Sequence, residues 1–111
     1  MLMSPDLPAP VRRYFEAEQS NDTSRMANFF AADAVVIDEK KTHSGLEAIQ
    51  AWKEEAKATT SYQVTPLRAQ PEGDRLVVTG NVEGDFPGSP VELRYFFTLT
   101  GDRISALEIR L

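Results

Sequence analysis

The chain contains no cysteine. That absence excludes a disulfide scaffold, a thiolate zinc site, an iron–sulfur centre and a cysteine nucleophile. It has a single histidine, His43. A histidine-rich metal site is therefore excluded, and a Ser-His-Asp triad has one candidate for its central member. Long apolar runs are also missing, and none approaches the roughly 20 residues that a helix needs to cross a bilayer. Met1-Leu2-Met3-Ser4-Pro5-Asp6 has neither a basic start nor an apolar stretch, so no signal peptide is expected. Cations are the minority charge, 12 Lys and Arg against 17 Asp and Glu, for a formal net charge of −5. They are scattered rather than striped, so neither a nucleic acid nor a membrane is an expected partner. These absences leave a soluble, cytoplasmic protein as the expectation.

What is present is ordinary globular composition. The chain has 111 residues, 41% hydrophobic and 26% charged. That length suits one domain over 1–111, which buries roughly 65% of the surface of its unfolded chain. Residues 1–8 read as an extended leader carrying Pro5 and Pro8, and Pro10 suits the first turn of a helix. Leu7, Val11, Tyr14, Phe15 and Glu18 then recur at helical spacing, which predicts a helix from Ala9 to Ser20. Asn21-Asp22-Thr23 interrupts it. Asp22 is a suitable cap for a short second helix carrying Met26, Phe29 and Phe30 and ending at Ala32-Asp33. The β-branched run Ala34-Val35-Val36-Ile37-Asp38 predicts a strand, with Thr42-His43 pairing back after the Lys40-Lys41 turn. Ser44-Gly45-Leu46-Glu47 has capping-box spacing, with Ser44 as cap of a third helix that carries Ile49, Trp52 and Ala56 and ends near Thr59-Thr60.

Four strands follow, from Tyr62 to Gln70, Arg75 to Glu83, Val91 to Thr100 and Arg103 to Leu111. Pro66 marks the first of them as an edge or a bulge. Helices first and an antiparallel meander afterwards means α+β, with helices packed on one face of a curved sheet. Alternation puts Val91, Leu93, Tyr95, Phe97 and Leu99 on one face, and Leu107, Ile109 and Leu111 on the same side of the last strand. The opposite face carries Glu92, Arg94, Phe96 and Thr98, with Phe96 as an exposed aromatic. An uncovered face of this kind pairs with a second copy, so a homodimer through Arg94 and Phe96 is expected.

Three segments carry a resemblance. Val11-Arg12-Arg13-Tyr14-Phe15-Glu16-Ala17 with Asn21-Asp22, then Phe29-Phe30-Ala31-Ala32-Asp33-Ala34-Val35-Val36-Ile37-Asp38, then Ser44-Gly45-Leu46-Glu47-Ala48-Ile49 resemble the nuclear transport factor 2-like superfamily. Within it they are similar to the SnoaL-like polyketide cyclases and ketosteroid isomerases. The likeness covers nearly the whole chain. It implies a cystatin-like cone, in which a strongly bent sheet wraps three N-terminal helices around an apolar cavity. It also implies a small apolar ligand and no cofactor. Members of that superfamily include isomerases, cyclases, dehydratases, epoxide hydrolases and proteins that only bind.

Asp38 shares a strand face with Ala34 and Val36, so an apolar strand ends in a carboxylate. It is either a solvated strand end beside Glu39-Lys40-Lys41 or, as the resemblance implies, a general base whose pKa burial would raise. Tyr14 is either a core phenol or, by resemblance, a hydrogen-bond donor to a developing oxyanion. Where the isomerases place a neutral carboxylic acid as a second donor, this chain has Tyr95. A phenol can donate there without any pKa shift, but the change argues against steroid isomerisation itself. Trp52 is core or a wall that stacks on a flat ligand. His43 is exposed before a helix or placed at the mouth of the cavity. Phe29, Phe30, Leu93, Phe97 and Leu107 are core or pocket lining. No set of metal ligands is visible, and Gly80, Gly84 and Gly88 open no helix as a phosphate loop would. Asp38 with Arg94 would suit epoxide hydrolysis only if both faced one point, and strand alternation opposes that. Two function classes follow: a cofactor-free isomerase or cyclase using Asp38, Tyr14 and Tyr95, or a non-catalytic ligand-binding or dimeric interaction module.

Overall fold

The computed structural model describes residues 6–20 and 23–111. Most of the expected leader and the expected Asp22 cap lie outside those residues. The elements, in chain order, are α1 (Ala9–Ser20), a 3-10 turn (Met26–Asn28), β1 (Phe30–Asp38), β2 (Lys41–Ser44), α2 (Leu46–Thr59), β3 (Tyr62–Glu72), β4 (Arg75–Gly84), β5 (Val91–Thr100) and β6 (Arg103–Arg110). The six strands form one sheet in the order β2-β1-β6-β5-β4-β3. Only β1 with β6 is a parallel pair, and every other neighbouring pair is antiparallel. The architecture is an α+β cone, a curled mixed sheet with both α-helices against its inner face.

α1 buries Pro10, Val11, Tyr14, Phe15 and Glu18, the stripe that helical periodicity marks out. Of these, Val11, Tyr14 and Phe15 meet Phe29, Phe30, Val36, Phe97, Ile104 and Leu107 in a single core. β3 is an edge strand, and its register shifts between Pro66 and Arg68. Proline lacks the N–H that a continuous ladder would use, so it occupies the edge and the irregularity.

Several sequence expectations give way to tertiary pairing. The second helix is only the 3-10 turn, and the strand begins at Phe30 rather than Ala34. Phe30 pairs with Ile104 of β6, and the Ile104 N–H donates to the Phe29 carbonyl at 2.7 Å. Cross-sheet pairing overrides the helical preference of Ala31 and Ala32. Ser44 does not cap α2, because it pairs with Val35 as the last residue of β2. Gly45 takes that place with φ +88°, a left-handed conformation natural to glycine, and no side chain caps the helix. Leu111 lies beyond β6 and is 81% exposed rather than inward-facing. Ile104 is buried in its stead, because Thr98 pairs with Ala106 while Leu99 pairs with Ile104, leaving Ser105 as an extra residue.

Phe96 is the clearest correction. It lies on the outer face as alternation requires, yet it is 3% exposed. Guanidinium carbons of Arg75, Arg110 and Arg94 sit 4.7, 5.0 and 5.4 Å from its ring centroid. The guanidinium groups themselves cap the ring in cation–π contact. Glu108 locks the canopy, 2.9 Å from Arg110 and 3.6 Å from Arg75. Arg94 is held by the Leu111 carbonyl at 3.1 Å. Arg94 and Tyr95 point to opposite faces, so Arg94 cannot converge with Asp38.

Candidate functional site

Asp38 ends β1 on the face shared with Ala34 and Val36, both fully buried. The register pairs Asp38 with Ile109, Ile109 with Tyr95 and Tyr95 with Val78. Paired residues point to one side of a sheet, so Asp38 and Tyr95 share an inward-facing row two strand spacings, about 10 Å, apart. α2 crosses this end of the sheet, and the Trp52 Nε1–H donates to Asp38 Oδ2 at 3.0 Å. That bond fixes one carboxylate oxygen. Among the described residues the other is left without a partner. The His43 ring lies 5.7 Å from the Trp52 ring, because β2 folds back and pairs His43 with Val36. Asp38, His43 and Trp52 are all partly buried, so they form a rim rather than a floor.

Behind the rim lies a cluster built on Lys53, which sequence reasoning missed. Lys53 and Glu18 are buried, with Lys53 Nζ 2.8 Å from Glu18 Oε1. The approach is close but off the hydrogen-bonding axis of that oxygen. The same ammonium lies 3.4 Å from the Tyr14 hydroxyl and 3.4 Å from the Tyr62 hydroxyl, and donates to both. It also stands 4.1 Å from the Trp52 ring centroid. Lys57 adds a second cation. It donates to the Glu18 backbone carbonyl at 2.6 Å and rests 4.3 Å from the Tyr62 ring centroid. Burial lowers the Lys57 pKa, an effect that Glu18 opposes.

The phenols are kept neutral by their surroundings. Burial first, and the Glu18 carboxylate second, push Tyr14 and Tyr95 well above the ordinary phenol value of 10.0. Tyr62 is raised for the same reasons, with a further contribution from Asp38. Tyr95 leans across Gly80, where an added Cβ would stand 3.0 Å from Tyr95 Cε1 and 3.2 Å from Val64 Cγ1. Only glycine leaves that space to the ring.

The remaining sequence candidates line the interior. Tyr14 packs edge-on against Phe15, Phe29, Phe30 and Phe97, with centroids 5.1 to 6.2 Å apart. Leu107 is buried among them, and Leu93 packs against their margin. The slot between Tyr14, Glu18, Met26, Phe29 and Lys53 is too narrow for a water-sized sphere. A ligand therefore meets the rim before the floor. An open groove of about 570 Å³ lies at the opposite end of β1, lined by Arg13, Glu16, Arg25 and Arg103, and contains none of the candidate residues except Phe29.

The structure thus joins Asp38, Trp52 and His43 in one group, and Tyr14, Tyr95 and the phenylalanines in another. Lys53 and Tyr62 link the two. A signal for the missed residues exists in the sequence. Lys53 falls four residues after the buried Ile49, and Glu18 four after Tyr14, each on the apolar stripe of its helix. Trp52 draws attention as the larger hydrophobe, yet Ile49 and Lys53 form the buried line of α2. Among the described residues no group of three or more His, Asp and Glu side chains could hold a metal ion. No helix among them is long and apolar enough to cross a membrane.

A SnoaL-like domain model matches residues 11–106. A proposed polyketide cyclase from Sinorhizobium meliloti has a similar structure, with TM-score 0.89 and 47% identity over 95% of this chain and 96% of that one. A hypothetical protein with a ketosteroid isomerase-like fold from Catenulispora acidiphila, solved in complex with trimethylamine, has TM-score 0.82 and 22% identity over 96% of this chain and 87% of its own. A proposed SnoaL-like polyketide cyclase from Jannaschia has TM-score 0.73 and 18% identity over 91% of this chain and 81% of its own. The last two carry the fold alone. No functionally curated protein matches the chain.

Proposed function

We propose, from the premise that this chain belongs to the SnoaL-like domain family, that it binds a small apolar carbonyl compound at the Asp38 rim and moves a proton within it. Asp38 is the general base of a cofactor-free isomerisation or cyclisation. The observation that carries this reading is the Trp52-held carboxylate. One oxygen is fixed at 3.0 Å from the indole nitrogen, while the other remains available to take a proton from an acidic C–H. The Trp52 indole beside it gives the rim an apolar wall. Tyr14 and Tyr95, held neutral by burial on the same inner face, are the phenolic donors that the charged oxygen reaches once the ligand passes the rim and the packing behind it opens. The similarity to the proposed cyclase from Sinorhizobium meliloti supports the reaction class.

Asp38→Asn tests the base. Asparagine keeps a carbonyl oxygen for Trp52, so the fold and the ligand contact survive. Exchange of acidic C–H protons into deuterated water, followed by NMR across a panel of cyclic ketones, should fall by about 10²–10⁴. Unaltered exchange in the variant would remove the base and leave a non-catalytic binder.

A second copy is the proposed protein partner, docked on the outer face of β4, β5 and β6. There Arg94 and its neighbouring arginines cover Phe96 and alternate with Glu92 and Glu108, giving both signs of charge to a two-fold contact.

A further inference from the structure

We infer that Tyr62 donates the hydrogen bond that recognises the oxygen of a bound carbonyl or enol ring, and that Lys53 is the positioning residue that turns its hydroxyl hydrogen toward that ligand. The inference rests on the reading of the rim as a ligand site and names a contact within it.

An ammonium has three N–H groups and accepts none. Lys53 Nζ faces three acceptors, namely Glu18 Oε1 at 2.8 Å and the hydroxyls of Tyr14 and Tyr62 at 3.4 Å each. The ion pair with Glu18 and the two hydrogen bonds to the phenols hold the ammonium between the two tyrosines. Each phenol oxygen receives a hydrogen from nitrogen and keeps one of its own. That hydrogen cannot point at Lys53. Among the described residues the Tyr62 hydroxyl accepts from Lys53 and donates to no protein group, so its own hydrogen is available to a ligand.

Access separates the two phenols. Tyr14 is 1% exposed and closed in by rings. Tyr62 is partly buried, is the first residue of the edge strand β3, and has its ring pinned by Lys57 at 4.3 Å. From it the contacts run through Lys53 to the Trp52 ring at 4.1 Å, and from Trp52 to Asp38 at 3.0 Å. Tyr62, Lys53, Trp52 and Asp38 thus form one line of contacts along the rim, and a ring bound against it would have Asp38 toward one end and Tyr62 toward the other. Lys53 and Lys57 are the two cations beside Tyr62, and Glu18 behind them with Asp38 at the rim supplies two carboxylates, so the site carries no net positive charge. That selects a neutral oxygen acceptor over a free anion.

Two probes isolate the contact. β-Naphthol carries a hydroxyl oxygen on a flat apolar ring, and naphthalene is the same ring without it. Affinities for both are measured by fluorescence titration on the wild type, Tyr62→Phe, the double variant Glu18→Leu with Lys53→Met, and Asp38→Asn. Wild type should prefer β-naphthol by about tenfold, the effect of one hydrogen bond in a desolvated site. Tyr62→Phe should bring the preference close to unity with naphthalene affinity unchanged. The double variant, confirmed folded by thermal denaturation, should lose most of the preference although it keeps the phenol. A merely structural Lys53 would leave the preference intact. Loss of affinity for both probes together, a preference that survives Tyr62→Phe, or no preference in the wild type would each overturn the inference. Asp38→Asn should retain the preference. Lost exchange in Asp38→Asn beside an intact preference in Tyr62→Phe would sink this inference alone, and the converse would sink the base alone.

Discussion

Lys53→Met removes the cation and leaves Glu18 in place. Glu18 is 4% exposed, so its carboxylate cannot reach water without opening the packing between α1 and α2. Breaking a buried pair on one side costs about 3–5 kcal/mol. Lys57 Nζ already stands 3.8 Å from Glu18 Oε1, and a small rotation would make it a substitute partner. The expected loss is therefore at the low end, about 3 kcal/mol, which lowers Tm by about 12 °C for a domain of this size. The double variant Glu18→Leu with Lys53→Met removes both charges and refills the space with hydrocarbon. It should fall within about 1 kcal/mol of wild type, or exceed it, since desolvation of the pair is no longer required. Urea denaturation with unchanged m-values reads both numbers. A single variant as stable as wild type would show that the pair is hydrated in solution. A double variant as weak as the single one would show that Lys53 acts through its stem and not its charge.

Other outcomes follow from the same geometry. All three tyrosines have raised pKa values through burial. A folded pKa above the unfolded value adds stability that is fully present below the unfolded value and disappears as pH rises through the folded one. Phenolate absorbance should therefore stay low past the ordinary value of 10.0 and then rise together with alkaline unfolding. A titration near that value in a folded protein would contradict the buried placement. Gly80→Ala puts a methyl 3.0 Å from Tyr95 Cε1 and 3.2 Å from Val64 Cγ1. Calorimetry should record a loss of about 1–3 kcal/mol, and a neutral change would mean that the ring moves freely. Arg94→Glu sets a carboxylate on the outer face and should convert the proposed dimer to monomer in light scattering. A dimer that persists would place the contact on another face.

How legible the chain was depends on the element. α1 and β5 match their expected bounds because their hydrophobic periods are long and uninterrupted. The segment Phe29 to Asp33 failed because its local preference is helical while its partner is β6, some 70 residues later along the chain. Phe96 failed for a related reason. Alternation gives the face a side chain points to, and not whether three guanidinium groups from β4, β5 and β6 will cover it. At the site, Asp38 and Tyr14 were legible as polar atoms on apolar faces. Lys53 was not, because a lysine in a helix is normally solvated and only a partner on another helix makes it interior.

The sequence by itself determined the α+β class, the antiparallel meander, the apolar stripe of α1 and the strand face that Asp38 shares with Ala34 and Val36. Each follows from periodicity and backbone chemistry within a few residues. Tertiary structure alone decided that Trp52 grips Asp38, that Glu18 meets Lys53 across two helices, and that Lys53 holds two phenols at once. Those contacts join residues up to 39 positions apart. Which atoms meet at such a separation is set by the curl of the sheet and the angle of the helices upon it, quantities that no local pattern encodes.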